Sequence, residues 1–243
     1  MKKYPITVKP FGENAVLIEW PNKVKEAILD DILRFQALLE LEMENDWEFI
    51  PAYNSLTLIN LKTTLDFSTF EKKLLKMYTK TTTTSKRENH LWKLPVCYDL
   101  EFGIDLEELS KELKMSSVEL TAMHAFHEYR VYGIGFLPGF MYLGGLPKAL
   151  ETKRKSEPRL KIAKGAVGLA GKQTGIYPQE SPGGWNIIGN CPIPIFDVKS
   201  EEPCFVKVGD KIKFEMITKA KYELCKIEGE VGIYKPEKIL LDA

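Results

Sequence analysis

Residues 133–147 read GIGFLPGFMYLGGLP, and further on residues 170–178 read AGKQTGIYP and residues 181–189 read SPGGWNIIG. Glycine at this density lets a backbone approach a ligand or another backbone closely and permits positive φ, while the interleaved aromatic residues supply apolar walls. Two arrangements fit the pattern: a small-molecule cleft, or strand corners whose Gly and Pro serve only turn geometry. From Arg130 onward, short apolar runs between these punctuators, ending in residues 205–210 and 211–214, predict a β-barrel or sandwich.

Working outward, Ser116-Ser117-Val118-Glu119 has the spacing of a capping box, and it opens a predicted helix of about ten residues that carries His124 and His127. Before it, residues 105–114 read as a short helix and residues 91–98 as a strand. Residues 79–89, TKTTTTSKREN, contain no apolar side chain and place a domain boundary, giving domains 1–84 and 85–243. In the first domain two strand-like stretches flank Gly12. From Val24 the apolar positions Ala27, Ile28, Ile32, Phe35, Leu38 and Leu39 follow helical spacing. Residues 47–61 return to strand composition broken at Asn54-Ser55, and Ser68 with Glu71 predicts a second capping box and helix. The alternation predicts a small α+β sandwich.

Thirty-four basic residues balance thirty-four acidic ones, so no global field favours nucleic acid or an anionic membrane. No apolar run approaches the roughly 18 residues of a membrane span, and the first residues lack an apolar core of the secretory type. A cytoplasmic location is the expectation. Cys97, Cys191, Cys204 and Cys225 form no CxxC pair, which disfavours a zinc knuckle or redox dithiol and predicts reduced thiols. His124 and His127 stand three apart on the predicted helix, so both rings are placed to reach one site, although without a carboxylate at metalloprotease spacing no metal is expected.

Lys172, Gln173 and Thr174 lie between Gly171 and Gly175, where a short turn would present an ammonium, an amide and a hydroxyl together, a set suited to a carboxylate or phosphate. Arg159 offers a bidentate contact to the same kind of group, and Tyr177 and Trp185 offer a pocket wall or plain core. The run from Lys153 to Lys164 holds six basic residues and reads as a solvated loop.

The segments IGFLPGFMYLGGLP, PR(x)5G(x)VG(x)AGKQTGIYP from Pro158, and SPGGWNIIG together resemble the signature of the family that holds the 5-oxoprolinase B subunit, the kinase inhibitor KipI and allophanate hydrolase subunit 1. The resemblance implies a small N-terminal α/β domain followed by a cyclophilin-like β-barrel. It further implies one component of an ATP-dependent 5-oxoprolinase that opens 5-oxo-L-proline to L-glutamate together with the 5-oxoprolinase C and A subunits. ATP would be a co-substrate of the complex, with no cofactor in this chain. Inhibition of a sensor histidine kinase is the alternative, and allophanate hydrolysis a weaker one, since no Ser-Ser-Lys amidase segment is present. There is no GxxxxGK[ST] loop to place ATP. His124 matches the family's histidine before the glycine-rich segment and becomes the candidate proton-transfer group, with Lys172 as its catalytic companion. Arg159, Gln173, Thr174, Tyr177, Gly183, Gly184 and Trp185 are the candidate substrate-binding residues. Lys153, Ala163, Lys164, Ala166 and Asn190 depart from the family pattern, and Asn190 stands where an arginine is usual.

Overall fold

The structure is a computed structural model that describes residues 3–43, 45–80 and 88–241. The chain divides into two compact units, one up to Glu88 and the other from Asn89. The expected linker falls largely on residues 81–87, outside the described residues.

In the first unit β1 (Thr7–Pro10), β2 (Ala15–Glu19), β3 (Trp47–Ala52) and β4 (Ser55–Asn60) form an antiparallel sheet in the order β1-β2-β4-β3. Helices α1 (Glu26–Glu42) and α2 (Phe67–Lys80) contribute to the same core. Ile28, Ile32, Phe35 and Leu39 of α1 are fully buried, as their helical spacing requires, whereas Val24 lies before the helix and is exposed. The start of α2 differs from the expected Ser68/Glu71 box. Asp66 fills the capping place instead, its carboxylate accepting from the Ser68 and Thr69 hydroxyls. An aspartate one residue before the helix competes well for those donors because it is charged. In the core, Asp31 accepts from the Trp20 indole at 2.8 Å and from the Tyr78 hydroxyl, and pairs with Arg34.

The second unit holds an eight-stranded mixed sheet in the order β12-β9-β10-β7-β6-β13-β5-β14. Its strands are β5 (Asn89–Val96), β6 (Glu128–Ile134), β7 (Met141–Gly144), β9 (Ala166–Ala170), β10 (Gln173–Ile176), β12 (Asn186–Asn190), β13 (Lys211–Met216) and β14 (Glu237–Leu241). Among the described residues only β13 and β5 pair in parallel. A separate ribbon joins β8 (Arg159–Ile162) to β11 (Ser181–Gly183). Residues 205–210, expected to be extended, make a turn into β13. Helices α3 (Leu106–Leu113), α4 (Ser117–Phe126) and α5 (Lys219–Glu230) complete the unit. The Ser116/Glu119 capping box forms as the spacing predicts, with both reciprocal bonds in place.

A closed barrel, the expectation drawn from the family resemblance, is not found among the described residues. The sheet curls so that the edge strand β12 meets the chain just beyond β5, but the contact is a single bridge between Cys97 and Asn190, with two backbone bonds of 2.9 Å. Asn190 consolidates that seam. Its amide donates to the Lys164 carbonyl at 3.0 Å and its carbonyl oxygen accepts from the Tyr222 hydroxyl of α5 at 3.0 Å. The position is therefore buried, and the residue works as a hydrogen-bonded tie.

Gly165 shows why glycine is required beside this seam. Its φ is +81°, and a Cβ there would lie 2.2 Å from the Cys191 carbonyl oxygen and 2.5 Å from Asn190 Oδ1. Gly165→Ala combines a strained backbone with a clash against main chain, so it should destabilise the second unit by at least about 2 kcal/mol. Urea denaturation followed by tryptophan fluorescence checks this, and a variant as stable as the parent would refute the close approach.

Candidate functional site

The glycine-rich segments converge on a pocket of about 450 Å³. Its lining combines the apolar and aromatic side chains of Phe136, Leu137, Phe140, Tyr142, Tyr177 and Trp185 with the cations Arg154 and Lys155, Pro158 and residues 181–184. Phe140, Tyr177 and Trp185 belong to a small buried cluster and meet one another edge-to-face, with ring centroids 5.3 to 6.5 Å apart. This geometry suits aromatic quadrupoles and holds the wall rigid. Gly183 lies over Tyr177, and a Cβ there would sit 2.4 Å from the tyrosine hydroxyl, so only glycine lets the β11 ribbon pass. Burial pushes the Tyr177 phenol up to about 12, so it stays protonated.

The polar part of the lining is organised by Asp105, which immediately precedes α3 and is almost fully buried. Its carboxylate accepts from the Ile187 backbone N–H at 2.7 Å, from both terminal nitrogens of Arg159, and from Lys155 Nζ at 3.0 Å. Burial alone would raise this carboxyl, but the Arg159 guanidinium, the Ile187 amide and Lys155 outweigh it and hold the group below the usual range. Lys155 is shared with Glu108 at 2.9 Å, and these two partners raise its ammonium. Arg154 is exposed and makes no ion pair among the described residues.

Of the residues singled out in the sequence, Tyr177, Gly183, Gly184 and Trp185 come together in this pocket. Arg159 lies beside it on β8, but its bidentate fork is taken by Asp105. Lys172 is exposed on the turn between β9 and β10, and Gln173 begins β10 there. Tyr177 follows the opposite end of β10, so at the rise of an extended chain it lies roughly 16 Å from Lys172. Lys172 is not among the residues that line the pocket. Phe136, Arg154, Lys155 and Asp105 are not among the residues that sequence reasoning assigns to the site. The basic run from Lys153 is the signal for two of them, and the Phe within GFLPG for another. Asp105 gives no signal, since one aspartate before a helix reads as a cap.

His124 takes no part in the pocket. It is 0% exposed, with its ring stacked on Phe214 at 4.6 Å. The expected convergence with His127 does not occur, because α4 ends at Phe126 and His127 is exposed in extended backbone. The bonding around His124 fixes its protonation. The Thr174 hydroxyl donates to the Gly168 carbonyl at 3.0 Å, so its oxygen accepts from His124 Nε2–H at 2.9 Å. Nδ1 is then left to accept from the Tyr98 hydroxyl at 2.7 Å. Both ring nitrogens are satisfied in the neutral form, and a further proton would displace the tyrosine bond. Thr174, expected to meet a ligand, is spent on this network.

Burial, with a smaller push from His127, lowers the His124 imidazole from 6.5 to about 3. The unfolded chain therefore takes up a proton that the folded chain refuses. The stability involved is complete above about pH 6.5 and is lost progressively as the pH falls toward about 3. Between pH 7 and pH 5 the loss from this one group is about 2 kcal/mol. Denaturation at the two pH values should show it, and His124→Gln should depend on pH by that much less. An unchanged pH dependence in the variant would exclude a buried neutral imidazole.

Comparison with known proteins bears on the whole chain. The family model described as carboxyltransferase domain, subdomain C and D, matches residues 6–206. The B subunit of 5-oxoprolinase from Bacillus subtilis (strain 168) is 32% identical over 232 residues, covering 91% of this chain and 97% of that protein. The crystal structure of TTHA0988 is 30% identical over 87% of this chain with a TM-score of 0.73, and this chain spans 40% of its length. The Kluyveromyces lactis urea amidolyase superimposes over 97% of this chain with a TM-score of 0.78 at 16% identity, which is a likeness of fold, and there this chain spans 16% of the length. A fold shared across both units and a sequence match through the glycine-rich segments lead to one assignment: the chain belongs to the carboxyltransferase domain subdomain C and D family, alongside the B subunits of 5-oxoprolinase.

Proposed function

We propose that the chain acts as the B subunit of an ATP-dependent 5-oxoprolinase, opening 5-oxo-L-proline to L-glutamate together with C and A subunits in the cytoplasm. The observation that carries this reading is the match, at 32–35% identity over 84–91% of the chain, to relatives named as that subunit. Those names favour the metabolic role over kinase inhibition. Among the described residues no helix is long and apolar enough to cross a membrane, in keeping with a role on small molecules in solution.

The chemistry asks for two things. A lactam carbonyl is a poor electrophile, so transfer of the γ-phosphoryl group of ATP to the lactam oxygen releases ADP and leaves a phosphorylated imidate. Water then adds to the ring carbon, the carbon–nitrogen bond breaks to leave an acyl phosphate, and a second water releases phosphate. Both stages develop negative charge on oxygen, which fixed cations stabilise best in a water-poor site. Lys155, held by Asp105, is a group of that type, and Arg154, exposed beside it on the pocket lining, adds a second cation. The rest of the catalytic apparatus belongs to the partners on this reading.

The test is reconstitution. The full chain alone should release no ADP in response to 5-oxo-L-proline, and the complex should require it. In the complex Arg154→Ala should lower turnover by at least about tenfold, corresponding to about 1.4 kcal/mol of transition-state stabilisation. Lys172→Ala, at an exposed residue that does not line the pocket, should stay within about twofold of the parent. Turnover by the single chain, or a complex indifferent to its omission, would overturn the assignment.

A further inference from the structure

The pocket is poorly matched to 5-oxo-L-proline by itself. At about 450 Å³ it lies in the range of roughly 300–1,000 Å³ typical of sites for drug-sized ligands, whereas a five-membered lactam carboxylate is a fragment of such a ligand. Much of the aromatic wall would face nothing, forfeiting its dispersion contacts. A small polar anion also gains little from a lining in which eight side chains are apolar or aromatic.

We propose that this pocket seats the adenine nucleotide, with the base on the exposed ring of Phe136 and the phosphates running out past Arg154 and Lys155. The inference rests on the 5-oxoprolinase reading only for its choice of nucleotide; the site itself is argued from its geometry. Three features point to a flat ring carrying an anionic tail. Phe136 supplies an exposed planar ring at the pocket, and such a ring accepts a base by stacking without hydrogen-bond readout. The two cations are adjacent in sequence and both line the pocket. Arg154 brings a guanidinium fork without an ion pair among the described residues, and Lys155 brings an ammonium held by Asp105 and Glu108. Asp105 is already saturated by Arg159, Lys155 and Ile187, and Glu108 is covered by Lys155, so these carboxylates are matched by cations.

The third feature is Phe136. Its φ is +66°, a left-handed conformation that a bulky residue rarely adopts, and its side chain is left 64% exposed beside the pocket. The ring meets Phe140 edge-on at 5.6 Å, which leaves a face of Phe136 open. Strain of this kind persists where the surrounding structure over-determines it, and it concentrates at ligand clamps. A base stacked on Phe136 would cover that open face. The glycine-rich loop that cradles phosphates before a helix is absent from this sequence, so side-chain cations are the groups left to do that work.

Calorimetric titration of the full chain with ADP, adenosine, inorganic phosphate and 5-oxo-L-proline tests the assignment. ADP should bind saturably. Phe136→Ala should weaken both ADP and adenosine by about tenfold, whereas Arg154→Ala should weaken ADP by about tenfold and leave adenosine unchanged. Both side chains are exposed, and circular dichroism with thermal melting establishes that the variants are folded. No ADP binding, or ADP binding that neither substitution alters, overturns the proposal. Binding of 5-oxo-L-proline that Phe136→Ala abolishes, with ADP inert, also overturns it while leaving the 5-oxoprolinase role standing. ADP binding that responds as expected, in a chain whose complex never turns over 5-oxo-L-proline, upholds the nucleotide site and removes the role.

Discussion

The carboxylate of Asp105 holds the pocket side of the second unit together. A carboxylate offers about four acceptor sites, and here they are met by the Ile187 amide, two guanidinium nitrogens of Arg159 and the Lys155 ammonium. The start of α3, the edge strand β12, the β8 ribbon and the segment carrying Lys155 are thereby tied to one buried charge. Such a charge tolerates burial only while paired, so each partner is bound to its place by the cost of leaving the others unmatched. The same arithmetic separates the two arginines: Arg159 is committed to Asp105, whereas Arg154 makes no ion pair among the described residues.

His124 is the neutral counterpart of that node. Both groups are buried in the same unit, yet Asp105 keeps its charge and His124 gives its charge up, because cations and an amide surround one while a tyrosine hydroxyl, a threonine hydroxyl and Phe214 surround the other. Desolvation acts on both, and the partners decide the outcome. A residue of the right chemical type at a family position is thus placed as a hydrogen-bonded core element, sealed from the pocket it was expected to serve.

The glycine-rich segments turn out to combine the two arrangements their composition allows. Gly165 is a corner residue, demanded by positive φ and by main chain at its α-carbon, and Gly183 permits the passage of β11 across Tyr177 in the pocket wall. Corner and cleft are therefore the same construction: the ribbon can line a cavity because its glycines let it lie close on the aromatic cluster. The curl of the sheet belongs to this construction as well, since Asn190, Lys164 and Tyr222 fasten β12 beside the end of β5 without closing the ladder.

Local physics in the sequence determined the elements. The helical spacing from Ile28 to Leu39 gave α1 its buried face, and the Ser116/Glu119 box marked the start of α4. The Gly-, Pro- and aromatic-rich segments located the pocket's Tyr177, Gly183, Gly184 and Trp185, because each of these signals acts within a few residues. Tertiary structure alone decided the partners and the order of strands. Asp105 meets Arg159 54 residues away and Ile187 82 residues away, and His124 meets Thr174 50 residues away. The parallel pairing of β13 with β5 needs a long connection that no hairpin spacing announces. Whether a charged or polar side chain binds a ligand or serves the fold depends on which groups reach it in space, and that information is carried by the packing of the whole unit, beyond the reach of any local window.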